Sequence, residues 1–280
     1  MLTALLGTAT AALFGGSDFL GGLASRRASA LSVTGVVYAL GVVIFAIGVF
    51  VVRPVAVTQS DLWWGAGSGI AATIGVLSLY AALAIGRMGI VAPITAAIAG
   101  SGPAIFDLVR GSNVGPAQLL GLVLALAAVI VVSTITHPED EHAMTPVALA
   151  LSAAAGVGFA VSLIFLSFTH PTSGLAPLLT SRVVGAAILG VALVVRRRTV
   201  VLDRGSAKTA LFGGMLDAAA NITMLAAIRV GPLAVASVVG SLYPVTTILL
   251  ARAVLHERMH RMQIVGVSLA LAAVVLTALP

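Results

Sequence analysis

Three charged side chains stand inside long apolar runs: Asp18 in GGSDFLGG, Arg182 in LLTSRVVG and Asp217 in GGMLDAAANI. A charge at the middle of a bilayer costs roughly 2.5 to 3.5 kcal/mol on insertion scales, so each requires a partner or a function. Asp217 and Asn221 are four residues apart, which places them on one helical face, and Ala218 to Ala220 between them leave room for a ligand or a neighbouring helix. Two chemistries fit. Asp217 and Asn221 line a polar site for a solute, or Asp217 neutralises Arg182 in a buried pair that only holds helices together. Arg182 has the matching alternatives: its fixed fork of donors clamps a carboxylate or phosphate, or it pairs with Asp217.

Asp18 lies between the glycine pairs Gly15-Gly16 and Gly21-Gly22, which weaken the helix and let a backbone or a ligand come close. It is either an acid that exchanges a proton or binds a cationic group, or an interfacial residue near Arg26 and Arg27. Tyr80 and Tyr243 are amphipathic candidates for substrate contact, although a lone Tyr also satisfies itself on the backbone. Pro93, Pro103 and Pro244 each remove a helical hydrogen bond in mid-span, giving a gate or a static kink. The five histidines fall in or near connections without ligand spacing, so no metal site is expected, and no cofactor motif is present. Glu257 in HERMHR reads as a loop anchor paired with nearby arginines.

The elements that must position these residues follow from composition. With 60% hydrophobic residues, 9% charged and a mean hydropathy of +1.15, the 280-residue chain has more apolar surface than a soluble core can bury. An all-α membrane protein in contact with the lipid bilayer is expected, with no removable signal peptide ahead of Arg26. The absence of cysteine excludes disulfides and thiol chemistry. The net charge of +6 does not point to nucleic acid, because the basic residues sit in short gaps between apolar runs, as membrane flanks do.

A bilayer-spanning helix needs about 20 apolar residues. Cutting at charges, prolines and polar clusters leaves ten spans, near residues 2–23, 31–52, 62–84, 90–109, 116–135, 146–168, 175–195, 207–228, 232–255 and 262–279. The fifth and tenth share a motif: QLLGLVLALAAV from Gln118 and QIVGVSLALAAV from Gln263 agree at eight of twelve positions. GRMGIVAPITAAIAGSGP and IRVGPLAVASVVGSLYP also align, setting Arg87 on Arg229, Gly89 on Gly231 and Pro103 on Pro244. Two five-helix repeats are therefore expected, residues 1–137 and 146–280, joined by a polar connection at 138–145 into one membrane domain. Five is odd, so the second copy enters the membrane inverted, the arrangement that suits alternating access. Eleven of the fifteen Lys and Arg fall on one side, which by the positive-inside rule puts both termini outside the cytoplasm. Gly65 and Gly69 predict close packing around the third helix.

The second half carries a resemblance. GPLAVASVVGSLYPVTTILLARAVLHERMHRMQIVGVSLALAAVVL, residues 231–276, resembles the ten-helix EamA-type branch of the drug/metabolite transporter superfamily: a helix with a mid-span Pro, a short loop with Glu, and a Gly-bearing last helix. The first half lacks the loop acid, since GSNVGPAQ holds none where the second half has Glu257. The resemblance implies secondary transport, export being the expected direction, of a small metabolite or amphipathic compound, driven by an ion gradient or by exchange. It places the cavity among helices one, three, four, six, eight and nine, with helix seven at the edge, and Asp18 resembles the proton-exchanging acid of first helices. Protons are the implied coupling ion, and the plasma membrane of a prokaryote the implied location. A membrane-embedded enzyme for lipid or isoprenoid intermediates is the alternative, disfavoured because no cluster of His, Asp or Glu is found; a channel is disfavoured by the asymmetric polar groups.

Overall fold

The computed structural model describes residues 1–25, 28–85, 88–133, 145–195, 202–255 and 261–279. Of these, 88% are helical and none lies in a strand. In a medium without water each backbone N–H and C=O must find its partner within the protein, which a helix achieves within its own segment. The described residues form α1 (Leu2–Ser25), α2 (Ala30–Val52), α3 (Gln59–Ile85), α4 (Met88–Val109), α5 (Pro116–Ser133), α6 (Pro146–Ser167), α7 (Ala176–Val195), α8 (Arg204–Val230), α9 (Leu233–Gly240), α10 (Tyr243–Leu255) and α11 (Arg261–Ala278). A short 3-10 turn, Pro171–Ser173, joins α6 to α7.

Among the described residues, five stretches are long and apolar enough to cross a membrane: Leu31–Val52, Gln59–Leu79, Pro146–Ser167, Ala176–Val195 and Arg204–Val230. Outward-facing residues such as Ile47, Phe50, Ile74, Val191 and Phe212 are apolar and exposed, as a lipid-facing belt requires. Helix starts carry local signals. Ser29 and Thr145 accept the backbone N–H three residues on, Pro146 occupies the first turn of α6, and Asp203 accepts from Gly205 and Ser206 at the start of α8.

One expected helix divides. Residues 232–255 form α9 and α10, separated at Ser241 and Leu242. Pro244 has no N–H to give the carbonyl four residues back, and that residue is Gly240, the poorest helix former after proline. Pro103 has the same defect, but the residue four before it is Ala99 and α4 continues unbroken through both Pro93 and Pro103.

Packing brings distant segments together. α1 lies chiefly on α8, α3 on α6 and α7, α5 on α11, and α4 on α6 and α9. Glycines allow the closest approaches: a Cβ at Gly65 would stand 2.7 Å from the Pro177 carbonyl oxygen, one at Gly69 would collide with the Ser181 backbone, and one at Gly158 would meet the Gly75 Cα at 2.8 Å. Gly121 and Gly266, within the repeated motif, are both buried on the packed pair α5 and α11. The connection expected at 138–145 lies, but for Thr145, outside the described residues, as do Glu257, His137, His142, His256, His260 and Arg87.

Candidate functional site

Helix α7 brings Arg182 to α8, where its Nη2 donates to Asp217 Oδ2. Both side chains are largely enclosed, at 9% and 17% exposure. The guanidinium also lies over the Tyr38 ring of α2, 4.4 Å from its centroid, with Phe45 at 5.9 Å on the next turns of the same helix. The spacing explains the local sequence: Gly41 leaves room for the arginine stem, since a Cβ there would be 3.2 Å from Arg182 Cδ, and a Cβ at Gly185 would strike the Tyr38 ring. An arginine charge without bulk water is thus satisfied by one carboxylate and one aromatic face.

Asn221, one turn on in α8, stands beside this pair and within reach of the Asp217 carboxylate. Its Nδ2 donates to the Asp217 carbonyl at 2.8 Å, so it steadies the turn of α8 that carries the carboxylate. Asp18 differs from both. It is exposed, and among the described residues it makes no hydrogen bond or ion pair. A Cβ at Gly16 would stand 3.0 Å from Leu216 Cδ1 and one at Gly15 2.6 Å from the Tyr243 carbonyl oxygen, which places this stretch of α1 beside the segments that carry Asp217 and Tyr243. The segment around Asp18 is fixed by its glycines: Gly15 packs on α10, and the Thr247 hydroxyl donates to the Gly15 carbonyl at 3.2 Å. Nothing stands within 4 Å of the Cβ positions of Gly21 and Gly22.

The structure therefore gathers Asp18, Arg182, Asp217, Asn221 and Tyr243, with Pro244 buried beside the break between α9 and α10 and Pro103 buried within α4. The side chains of Tyr80 and Pro93 lie outside the described residues. The grouping leaves Arg182 committed to a partner and Asp18 uncommitted, so the region can offer a solute or proton one free carboxylate beside a neutralised pair. Among the described residues no group of three His, Cys, Asp or Glu is arranged to hold a metal.

Three residues outside the sequence reading are built into the structure. Tyr38 forms the floor under Arg182. Asp107 ends α4 and accepts the Ala234 N–H at 2.8 Å, capping α9, while its other oxygen accepts the Ser112 hydroxyl at 2.6 Å. Asp61, completely buried, accepts the Thr58 hydroxyl at 2.7 Å and the His170 N–H at 2.7 Å. Both acids fall near ends of expected spans; applying to them the cost of membrane charge would have singled them out.

Comparison with known proteins places the chain. A solved crystal structure, described only as that of a protein, superposes with a TM-score of 0.78 at 16% identity over 99% of this chain and 96% of its own, a likeness of fold. Among curated proteins no sequence matches. The second half, residues 145–279, matches the EamA-like transporter family. With its apolar helices, the chain is an integral membrane protein whose residues 145–279, just under half of its length, are similar to the EamA-like transporter family.

Proposed function

We propose that the protein is a secondary active transporter that moves a small metabolite or amphipathic compound by alternating access, with export as its direction and protons as the coupling ion. The single observation that carries the coupling is the unequal state of the two acids: Asp217 is paired with Arg182, while Asp18 is exposed and has no partner among the described residues. A carboxylate that must serve in turn a proton and a solute has to be free to exchange them. The whole-length inverted repeat is supported by the packing. Exchanging the first five spans with the second five turns the α1 and α8 contact into that of α3 and α6, and returns the α5 and α11 contact to itself.

In this reading Asp18 is the coupling acid, Asp217 and Asn221 shape the wall on which the solute lies, and Arg182 fixes the charge of Asp217. Tyr80 and Tyr243 contribute solute contacts, and Pro93, Pro103 and Pro244 bend or divide the helices that gate the site. Boundaries at 1–137, 138–145 and 146–280 then mark two halves of one membrane domain rather than separate domains.

The test is in proteoliposomes. A solute is first selected by its stabilisation of the purified protein in a thermal-shift screen of amino acids, nucleosides and amphipathic amines, since a ligand bound to the folded state raises its stability. Accumulation of that solute is then measured with and without an imposed pH gradient. Asp18→Asn should abolish gradient-driven accumulation and retain binding or exchange. An Asp18→Asn variant that still concentrates the solute under the gradient would rule out proton coupling through this residue.

A further inference from the structure

At the end of the bundle where α6 turns into α7, the residues 168–174 hold more than a connection needs. Asp61, at the start of α3, is fully buried and accepts four hydrogen bonds: from the Thr58 N–H at 2.9 Å and hydroxyl at 2.7 Å, and from His170 through its N–H at 2.7 Å and its Nδ1 at 3.1 Å. The Thr172 carbonyl accepts the N–H groups of Val55 and Ala56 at 3.0 and 3.3 Å, which ties in the connection between α2 and α3. Arg229, in the last turn of α8, donates through Nη2 to the His170 carbonyl at 3.2 Å and the Ser173 hydroxyl at 3.1 Å. Phe168 stacks on Trp64 of α3, centroids 4.7 Å apart, and lies under the Arg110 guanidinium that follows α4, at 5.0 Å.

One short segment therefore joins the ends of α2, α3, α4 and α8. A buried carboxylate is stable only while its hydrogen-bond donors stay in place, and part of this donor set comes from His170, 109 residues away in sequence. We propose that residues 168–174 form a latch that keeps this end of the bundle shut, with Asp61 as its pin and Arg229 as its second fastening. The proposal rests on the alternating-access reading in one respect: it requires that this end open during the cycle. Separating α3 from the 168–174 segment would strip Asp61 of its His170 donors in one step, so closure is held by a cooperative set of bonds rather than by general packing.

The chain contains no cysteine, so introduced pairs are unique sites for spin labels. Thr172→Cys with Asn113→Cys spans the latched end, and Lys208→Cys with Val254→Cys spans the opposite one; all four positions are exposed. Distances are measured on the full chain in lipid nanodiscs for the otherwise native protein, for Asp61→Asn, which removes the charge and keeps the shape, and for Arg229→Met, which spares Asp61. Both variants should add a longer 172–113 population, increasing its fraction several-fold. Folded variants whose 172–113 distribution matches the native one would overturn the latch. If that distance lengthens while the 208–254 distance also shortens, the latch and alternating access stand together. If it lengthens while the opposite end does not respond, the latch stands and the alternating-access reading fails.

Discussion

The Arg182 guanidinium lies over the Tyr38 ring at 4.4 Å and is simultaneously bound to Asp217, so the arginine is held on a face and on an edge at once. A guanidinium bound in both ways has little left to offer a solute. This makes it a fixed countercharge and isolates Asp18 as the free acid of the region. The arrangement also accounts for two glycines: Gly41 and Gly185 are the positions where a methyl group would displace Arg182 or Tyr38.

The ion pair should behave as a unit in stability. Removing one member leaves the other uncompensated in an enclosed place, which costs about 3 to 5 kcal/mol in buried pairs, whereas removing both costs far less. Arg182→Met alone and Asp217→Asn alone are therefore expected to lower the thermal midpoint in detergent, Arg182→Met more steeply. The double variant should recover most of the loss. Additive losses in the double variant would show that the two groups do not depend on one another.

Glycine substitutions should separate packing from helix propensity. At Gly69 a Cβ collides with the backbone of Ser181, which cannot turn away, so Gly69→Ala is expected to destabilise by about 1 to 3 kcal/mol, as overpacking does. Nothing lies within 4 Å of the Cβ position of Gly21 in α1, so Gly21→Ala should be neutral or stabilising by up to about 1 kcal/mol. Thermal midpoints of the two variants, measured side by side, check the contrast.

These cases also show what could be read before the fold was known. Helix extents were legible because a bilayer sets a minimum apolar length and charges or prolines punctuate it: α6 begins at Pro146 and α5 at Pro116, where the sequence placed them. The pairing of Gly65 and Gly69 with α7 was legible only as small residues in search of a partner. Tyr38 was not legible. Its role exists because α2 and α7 cross at one place, and nothing in VVYALG announces a cation above the ring. The break before Pro244 was half legible, since the proline signals a defect while its outcome depends on Gly240 four residues earlier.

Asp203, exposed at the start of α8, predicts a pH dependence. Contact with the Ser206 side chain and the amides of Ser206 and Gly205 holds its carboxyl below the usual carboxylate range. A carboxyl lowered by folding contributes stability above its unfolded value and loses it as pH falls through the folded one. Asp203→Ala should thus be less stable than the native protein at neutral pH, with the gap closing as the acid range is entered. Asp203→Ser should restore part of the cap. An Asp203→Ala deficit that stays constant down to the acid range would refute the ionised cap.

Pro244 offers the sharpest test of how the ninth expected span divides. In α9 all eight residues are buried, its first turn is capped by Asp107, and Ser237 donates to the Gly100 carbonyl of α4 at 3.1 Å. α10 is tied to α1 by the Thr247 hydroxyl, which donates to the Gly15 carbonyl. Both parts pack on α1, but among the described residues only α9 is also fastened to α4, so the turn at Ser241 and Leu242 joins two differently held pieces. Pro244→Ala returns the missing N–H and removes the ring, so the helix should extend across the turn, with slower amide exchange over 241–245 and a higher thermal midpoint. If the turn serves the transport cycle, turnover should fall in the same variant although stability rises. Pro103→Ala, within a helix that is already continuous, should change amide exchange around 103 very little. Equal exchange over 241–245 in native protein and Pro244→Ala would mean that Gly240 and the flanking contacts, rather than the proline, make the break.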